Sequence, residues 1–82
     1  MKHAGETALR ALAPLLEALR TIPGLKERSP GTFYRGSRAL LHFHEDPAGL
    51  FADLKQGGEW QRFRVNSAAE RERLLTHVRR AP

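Results

Sequence analysis

The fold of this chain is decided by residues 32–65, which read TFYRGSRALLHFHEDPAGLFADLKQGGEWQRFRV. Apolar and polar residues alternate in much of this stretch, and Gly36-Ser37 and Gly57-Gly58 interrupt the alternation. Successive residues of a strand point to opposite faces, and a two-residue loop that begins with glycine is typical of a β-hairpin. The stretch therefore predicts antiparallel strands at Thr32–Arg35, Arg38–His44, Leu50–Lys55 and Glu59–Val65.

The loops between these strands also predict the register, because loop length decides which residues face each other. A two-residue loop at Gly36-Ser37 places Tyr34 opposite Ala39. A four-residue loop at Glu45–Ala48 places Phe43 opposite Leu50 and Leu41 opposite Ala52. A two-residue loop at Gly57-Gly58 places Ala52 opposite Phe63. All three loops agree on one apolar face, which consists of Tyr34, Ala39, Leu41, Phe43, Leu50, Ala52, Leu54, Phe63 and Val65.

The opposite face of the predicted sheet mixes aromatic, histidine and charged residues. It consists of Leu40, His42, His44, Phe51, Asp53, Lys55, Trp60, Arg62 and Arg64, with Phe33 at its margin. The register sets Asp53 across from Arg62 as an ion pair, and Phe51 between His42 and Arg64. Cross-strand pairs of this kind stabilise a sheet by roughly 0.2–1 kcal/mol each.

Helical patterns lie on both sides of the strands. Leucines at positions 9, 12, 16 and 19 predict a helix over residues 6–21, with a kink or a break at Pro14 and an end at Ile22-Pro23-Gly24. Ser67 and Glu70 have the spacing of a capping box, which predicts a final helix starting at Asn66 and Ser67. Leu25–Arg28 is a candidate short strand. Residues 1–5 are expected to be a loose arm, and the tail 79–82 is expected to fray.

Together these elements predict a single small α+β domain over residues 1–82. Its antiparallel β-meander of four or five strands is expected to carry the N-terminal and the C-terminal helix on one face, because so small a sheet needs a cover to be stable.

Composition bounds the function. The 82 residues contain no cysteine, which excludes disulfides and favours a reducing cytoplasm, and no apolar run is long enough to cross a membrane. Fourteen basic and nine acidic residues give a net charge of +5, and eleven of the fourteen are arginine. Arginine binds phosphate in a bidentate manner, so contact with a polyanion is one interpretation, and an ordinary basic surface is the other.

The residues give little support to an enzyme. His42 and His44 share a strand face near Glu45, Asp46 and Asp53, but spacing fixes no further ligand, so neither a metal nor a cofactor is predicted. An ion-paired Asp53 has too low a pKa to act as a base at neutral pH. The glycine pairs are turns rather than phosphate loops, because no helix follows them.

Two functional classes stay open, and both use the polar sheet face. The first is an interaction module that forms a homodimer through the aromatic residues. The second is a nucleic-acid-binding module that uses the basic residues, with Trp60 and Phe51 available for stacking. The candidate residues are Arg35, Arg38, His42, His44, Phe51, Asp53, Trp60, Arg62 and Arg64.

Part of the chain also resembles a known family. Residues 21–28 (TIPGLKER), 31–46 (GTFYRGSRALLHFHED) and 49–55 (GLFADLK) are similar to the front of MmcQ/YjbR-type proteins, small bacterial proteins of unassigned function. In that family a helix ends in a Pro-Gly turn, and a strand with a small glycine turn leads into a strand that ends in an acidic loop. The resemblance covers Thr21 to Lys55. It implies an α+β fold whose sheet has been likened to double-wing DNA-binding domains, and it implies no catalytic residues.

Overall fold

The computed structural model describes residues 1–81 and has the α+β architecture that the sequence predicts. In chain order its elements are β1 (Lys2–His3), α1 (Glu6–Ala11), α2 (Ala13–Arg20), β2 (Leu25–Ser29), β3 (Thr32–Arg35), β4 (Arg38–Asp46), β5 (Gly49–Gln56), β6 (Glu59–Arg64) and α3 (Ala68–Arg80).

The strands form one antiparallel sheet in the order β2-β3-β4-β5-β6, which confirms the predicted meander. β1 adds a sixth strand by pairing with β4 at His44 and Glu45, beyond the point at which the pairing of β3 ends. The expectation that residues 1–5 form a loose arm is therefore wrong. The backbone N–H of Ala4 donates to the carbonyl of Phe43 at 3.0 Å, and the buried Ala4 holds the segment against the core.

The register of the two central hairpins agrees with the prediction in one case and differs in the other. β5 and β6 pair as predicted, with Asp53 opposite Arg62. In the β4–β5 hairpin, however, Phe43 faces Ala52 rather than Leu50. The pairing continues to Asp46 and Gly49, because the Asp46 carboxylate accepts the N–H of Ala48 at 3.1 Å and tightens the loop to two residues. A shift of two residues leaves every side chain on its predicted face.

A β-bulge changes the faces at the start of β4. Tyr34 faces Ala39 as predicted, but the next pair is Phe33 with Leu41, so Leu40 is the extra residue. The prediction that Tyr34 and Ala39 belong to the apolar face is wrong, because the core contains Phe33 and Leu41 instead. Phe33 consequently lies fully buried in the core, edge-on to Phe43 with their ring centroids 6.5 Å apart, and not at the margin of the polar face. Leu40 is also buried, with 6% of its surface exposed.

Both helical segments cover the apolar face, as predicted. The N-terminal helix breaks at Leu12, because Pro14 falls in the first turn of α2 and lacks the N–H that a continuous helix needs. Leu12, Leu16 and Leu19 from this segment share one buried cluster with Leu41 and Phe43 of β4, among other residues.

The capping box confirms the predicted start of α3. Ser67 Oγ accepts the N–H of Glu70 at 3.1 Å, and the Glu70 carboxylate accepts the N–H of Ser67 at 3.0 Å. The expected fraying of the tail is wrong for the described residues, because α3 continues to Arg80 and Ala81 is buried. Pro82, which was included in that expectation, lies outside the described residues.

Asn66 joins the end of β6 to the start of β5. Its side-chain Oδ1 accepts the N–H of Leu50 at 2.8 Å, and its Nδ2 donates to the Leu50 carbonyl at 3.3 Å. Gly49 has a φ of 134°, and a Cβ atom there would lie 2.8 Å from Asn66 Oδ1. Glycine is therefore required at position 49 both by its backbone conformation and by the amide beside it.

Truncating Phe43 tests the core. Phe43 is fully buried, so the Phe43→Ala variant should lower the free energy of unfolding by about 3–5 kcal/mol, a large part of the total for a small domain. Urea denaturation followed by circular dichroism measures the loss. Trp60→Ala, which truncates an exposed aromatic, is the control and should cost much less. Equal losses for the two variants would contradict the packing described here.

Candidate functional site

One face of the sheet carries no helix among the described residues, and we refer to it as the outer face. Its residues are His42, His44, Phe51, Asp53, Lys55, Trp60, Arg62 and Arg64. The buried residues of all three helices belong to the core on the other side. The outer face is therefore the broad surface of the sheet on which polar side chains are gathered.

Asp53 is the centre of the outer face. Its carboxylate accepts two hydrogen bonds from Arg62, from Nε at 2.8 Å and from Nη2 at 3.0 Å. His44 Nε2 lies 3.1 Å from the Oδ2 atom, and His42 is the cross-strand partner in β4. The bonds from Arg62 hold the pKa of Asp53 below its ordinary value, although partial burial opposes them. Asp53 is thus a charged anchor and not a base for neutral pH, as the sequence indicates.

His44 and His42 lie beside this carboxylate, and a third histidine follows them on the β1 side. His42 and His44 have ring centroids 6.2 Å apart, and β1 brings His3 to 6.2 Å from His44. Burial, followed by the neighbouring His44 and His3, lowers the pKa of His42. Within residues 1–81, no group of three or more acidic or histidine side chains is arranged to hold a metal ion. Sequence reasoning missed His3, because a two-residue strand leaves no periodic pattern.

Trp60 is the exposed aromatic of the outer face. The Trp60 and His42 rings pack edge-on, with their centroids 4.7 Å apart. The Lys55 ammonium lies 5.1 Å from the centroid of the Trp60 ring. It nevertheless remains 43% exposed, and Met1 is the other exposed large apolar residue in the described part of the chain.

The apolar part of the outer face is smaller than the sequence predicts. Phe51 is 8% exposed, because it lies between His44 and Arg64, whose guanidinium carbon is 5.5 Å from the ring centroid. The prediction that His42 flanks Phe51 is wrong, and the two-residue shift of the β4–β5 register is the reason. With Phe33 and Leu40 buried as well, Trp60 provides most of the exposed apolar surface.

Arg35 and Arg38 lie beside the outer face, at the Gly36-Ser37 turn. With Lys55 and Trp60 they line a cleft of about 460 Å³, which we call the turn cleft. The remaining lining residues are Ala39, Leu40, Gly57 and Gly58. The structure thus brings three predicted site residues together with Lys55, which sequence reasoning placed on this face but did not select.

The cations of this surface fall into two groups. Arg62 is paired with Asp53, and Arg64 lies 3.7 Å from a carboxylate oxygen of Glu70. Arg35, Arg38 and Lys55 form no salt bridge in the described part of the molecule, and no acidic residue lines the turn cleft. The Nε atom of Arg35 is inaccessible to solvent and has no hydrogen-bond partner within residues 1–81. On this surface, the cations without an acidic partner in the described residues therefore lie at the turn cleft.

Comparison with known proteins adds no relative: no family model, no curated protein and no solved structure matches the chain. The resemblance of residues 21–55 to MmcQ/YjbR-type proteins therefore stays a prediction. No helix of the described residues has the length and apolar character needed to span a membrane.

His42 gives a prediction for pH dependence. Its pKa in the fold is lower than the ordinary value of 6.5, so below about pH 6.5 the unfolded chain binds a proton that the folded chain does not. The free energy of unfolding should therefore fall as the pH decreases through 6.5 towards the lowered pKa.

Urea denaturation at pH 7.5, 6.5 and 5.5 measures this effect. The His42→Gln variant should lose less stability over the same range, while the three other histidines contribute to both proteins. Parallel pH profiles for the two proteins would show that His42 has an ordinary pKa.

Proposed function

We propose that the protein binds single-stranded nucleic acid through the outer face and the turn cleft. The observation that carries this proposal is the exposed Trp60 beside three cations that have no acidic partner in the described residues. Nucleic acid is a ligand that offers flat bases for an aromatic ring and phosphates for cations in the same molecule. It is also present in the cytoplasm, the compartment that the lack of cysteine favours.

Stacking on Trp60 supports a single strand as the partner. Base stacking on an aromatic side chain contributes about 1–3 kcal/mol per base and requires bases that are not already stacked in a duplex. Trp60, Arg62 and Arg64 occupy alternate positions of β6, so their side chains follow one line on the outer face, with roughly 6.8 Å between neighbours. A strand that stacks on Trp60 can run along this line.

The pattern of charge pairing supports phosphate as the main polar contact. An arginine that already forms a bidentate bond to a carboxylate has fewer N–H groups for a second anion. Arg62 already forms such a bond to Asp53, whereas Arg38 is exposed and has no acidic partner in residues 1–81. We therefore assign more of the binding to the turn cleft than to Arg62.

Homodimerisation through the outer face is the competing proposal, and the geometry favours it less. A stable interface covers about 800 Å² on each partner and has a largely apolar centre. On the outer face Trp60 is exposed but Phe51 is covered, and the two copies would bring their unpaired cations together. Repulsion between like charges opposes such a dimer.

Replacing Arg38 tests nucleic-acid binding. Fluorescence anisotropy of a labelled oligonucleotide should show an affinity that falls with salt, by about 0.7 log units per log unit of salt for each phosphate contacted on a single strand. The Arg38→Ala variant should bind more weakly and lower this slope by about 0.7. Arg80→Ala removes an equal charge from an exposed position of α3 and should leave the slope unchanged.

The emission of Trp60 gives a second readout in the same experiment, because it is the single tryptophan of the chain. Stacking should quench it as the oligonucleotide is added. Absence of binding at low salt and micromolar protein, or an equal effect of the two arginine variants, would count against the proposal. Tryptophan emission that shifts to the blue with protein concentration alone would support the dimer instead.

Neutralising Asp53 should strengthen binding. The Asp53→Asn variant removes the carboxylate that holds Arg62 and lowers the negative charge of the outer face by one unit. We expect a higher affinity for the oligonucleotide and a steeper salt dependence, by up to about 0.7. Glu72→Gln makes the same change of charge on α3 and is the matched control. A folded Asp53→Asn protein whose affinity is unchanged or lower would show that Arg62 takes no part.

A further inference from the structure

The turn cleft lies at one end of the line that Trp60, Arg62 and Arg64 form. It is enclosed by the turn from β3 to β4 and the turn from β5 to β6, which meet at the same end of the sheet because Leu41 faces Leu54. The paired arginines extend from Trp60 towards the other end of β6. A single strand of nucleic acid that lies along this face therefore meets the unpaired cations of the turn cleft at one of its ends.

The contents of the turn cleft match one nucleotide with a terminal phosphate. A phosphate monoester carries a charge of about −1.5 to −2 and three acceptor oxygens, whereas a diester inside a strand carries one charge. The turn cleft has three cations around a volume of about 460 Å³, and this number of cations matches the larger negative charge of the monoester. The volume lies within the usual range for small-molecule sites, which is roughly 300–1,000 Å³.

Two of the three cations are positioned before any ligand arrives. Arg35 Nη1 lies 3.5 Å from the Pro23 carbonyl oxygen and packs against Gly24, where an added Cβ would be 3.1 Å away. Its Nε is inaccessible to solvent and has no acceptor in residues 1–81, so a phosphate in the cleft would have to bind the Nη groups of this restrained guanidinium. The Lys55 ammonium lies over the ring of Trp60, so a base that displaces it from that face would leave the ammonium beside the base and within reach of its phosphate.

We propose that the turn cleft recognises the phosphorylated end of a single strand, by stacking the terminal base on Trp60 and binding its phosphate monoester with Arg35, Arg38 and Lys55. This inference rests on the proposed function and names the substrate class of the same site. Leu40 adds an apolar side chain to the lining of the same cleft, which favours a nucleotide over inorganic phosphate.

The test compares oligothymidylates of equal length with a 5′-phosphate, a 3′-phosphate or no terminal phosphate, at one salt concentration and pH 7.5. Quenching of Trp60 gives the dissociation constants. We expect one phosphorylated end to bind at least about tenfold more tightly than the unphosphorylated strand, a difference of about 1.4 kcal/mol. Thymidine monophosphate and inorganic phosphate, each as a competitor, separate the base from the phosphate.

Variants assign the preference to the turn cleft. Lys55→Gln should reduce the preference for the phosphorylated end to about twofold or less, and it should also weaken binding of the unphosphorylated strand, because Lys55 belongs to the proposed site. Arg62→Gln removes an equal charge from the paired group and should leave the preference intact. Circular dichroism of both variants shows whether they are folded.

The outcomes separate the inference from the proposed function. Equal affinity for the three strands overturns end recognition and leaves strand binding in place. Competition by inorganic phosphate as strong as that by thymidine monophosphate overturns the role of the base. Quenching by thymidine monophosphate without binding of any strand overturns the proposed function and supports the turn cleft as a nucleotide site. If no ligand quenches Trp60, both proposals are wrong.

Discussion

The pairing of β4 with its neighbours is the interaction on which the rest of the structure depends. β4 is hydrogen-bonded to β5 on one side and to both β3 and β1 on the other. Because its side chains alternate, one strand delivers Leu41 and Phe43 to the core and His42 and His44 to the outer face. The core and the candidate site are therefore two sides of one pairing, and a change of register by one residue would destroy both.

The distribution of acidic residues decides where the positive charge of the chain is available. Glu27 is paired with Arg20 beside the helices, and Asp53 and Glu70 are paired with the arginines of β6. Exposed ion pairs add little to stability, but they do neutralise the field of the cations that they contain. Compared with the arginines of β6, the cations of the turn cleft are distinguished by the lack of such partners in the described residues.

Much of this structure could be predicted from the sequence, because the apolar alternation and the glycine turns act locally. The faces of β5, β6 and β4 from Leu41 onwards, the break near Pro14 and the capping box at Ser67 all followed from neighbouring residues. The bulge at Leu40 could not be predicted in this way, since it depends on how Phe33 packs against Phe43. β1 could not be predicted either, because its two residues pair with β4 about 40 positions further along the chain.

The candidate site shows the same division. The bond between Asp53 and Arg62 follows from the length of one loop, and the sequence contains that information. The pairing of Arg64 with Glu70 requires the position of α3, and the burial of Phe51 requires the correct register of β4. Sequence reasoning therefore found the residues of the outer face but not which of its cations are unpaired.

The contact between Asn66 and the start of β5 has a consequence for the evolution of this fold. The amide of Asn66 occupies the space that a Cβ atom at position 49 would need, and it holds both backbone polar groups of Leu50. A substitution at one of these two positions thus changes what the other can tolerate. Glycine at 49 and asparagine at 66 should be inherited together, although 16 residues separate Asn66 from its partner Leu50.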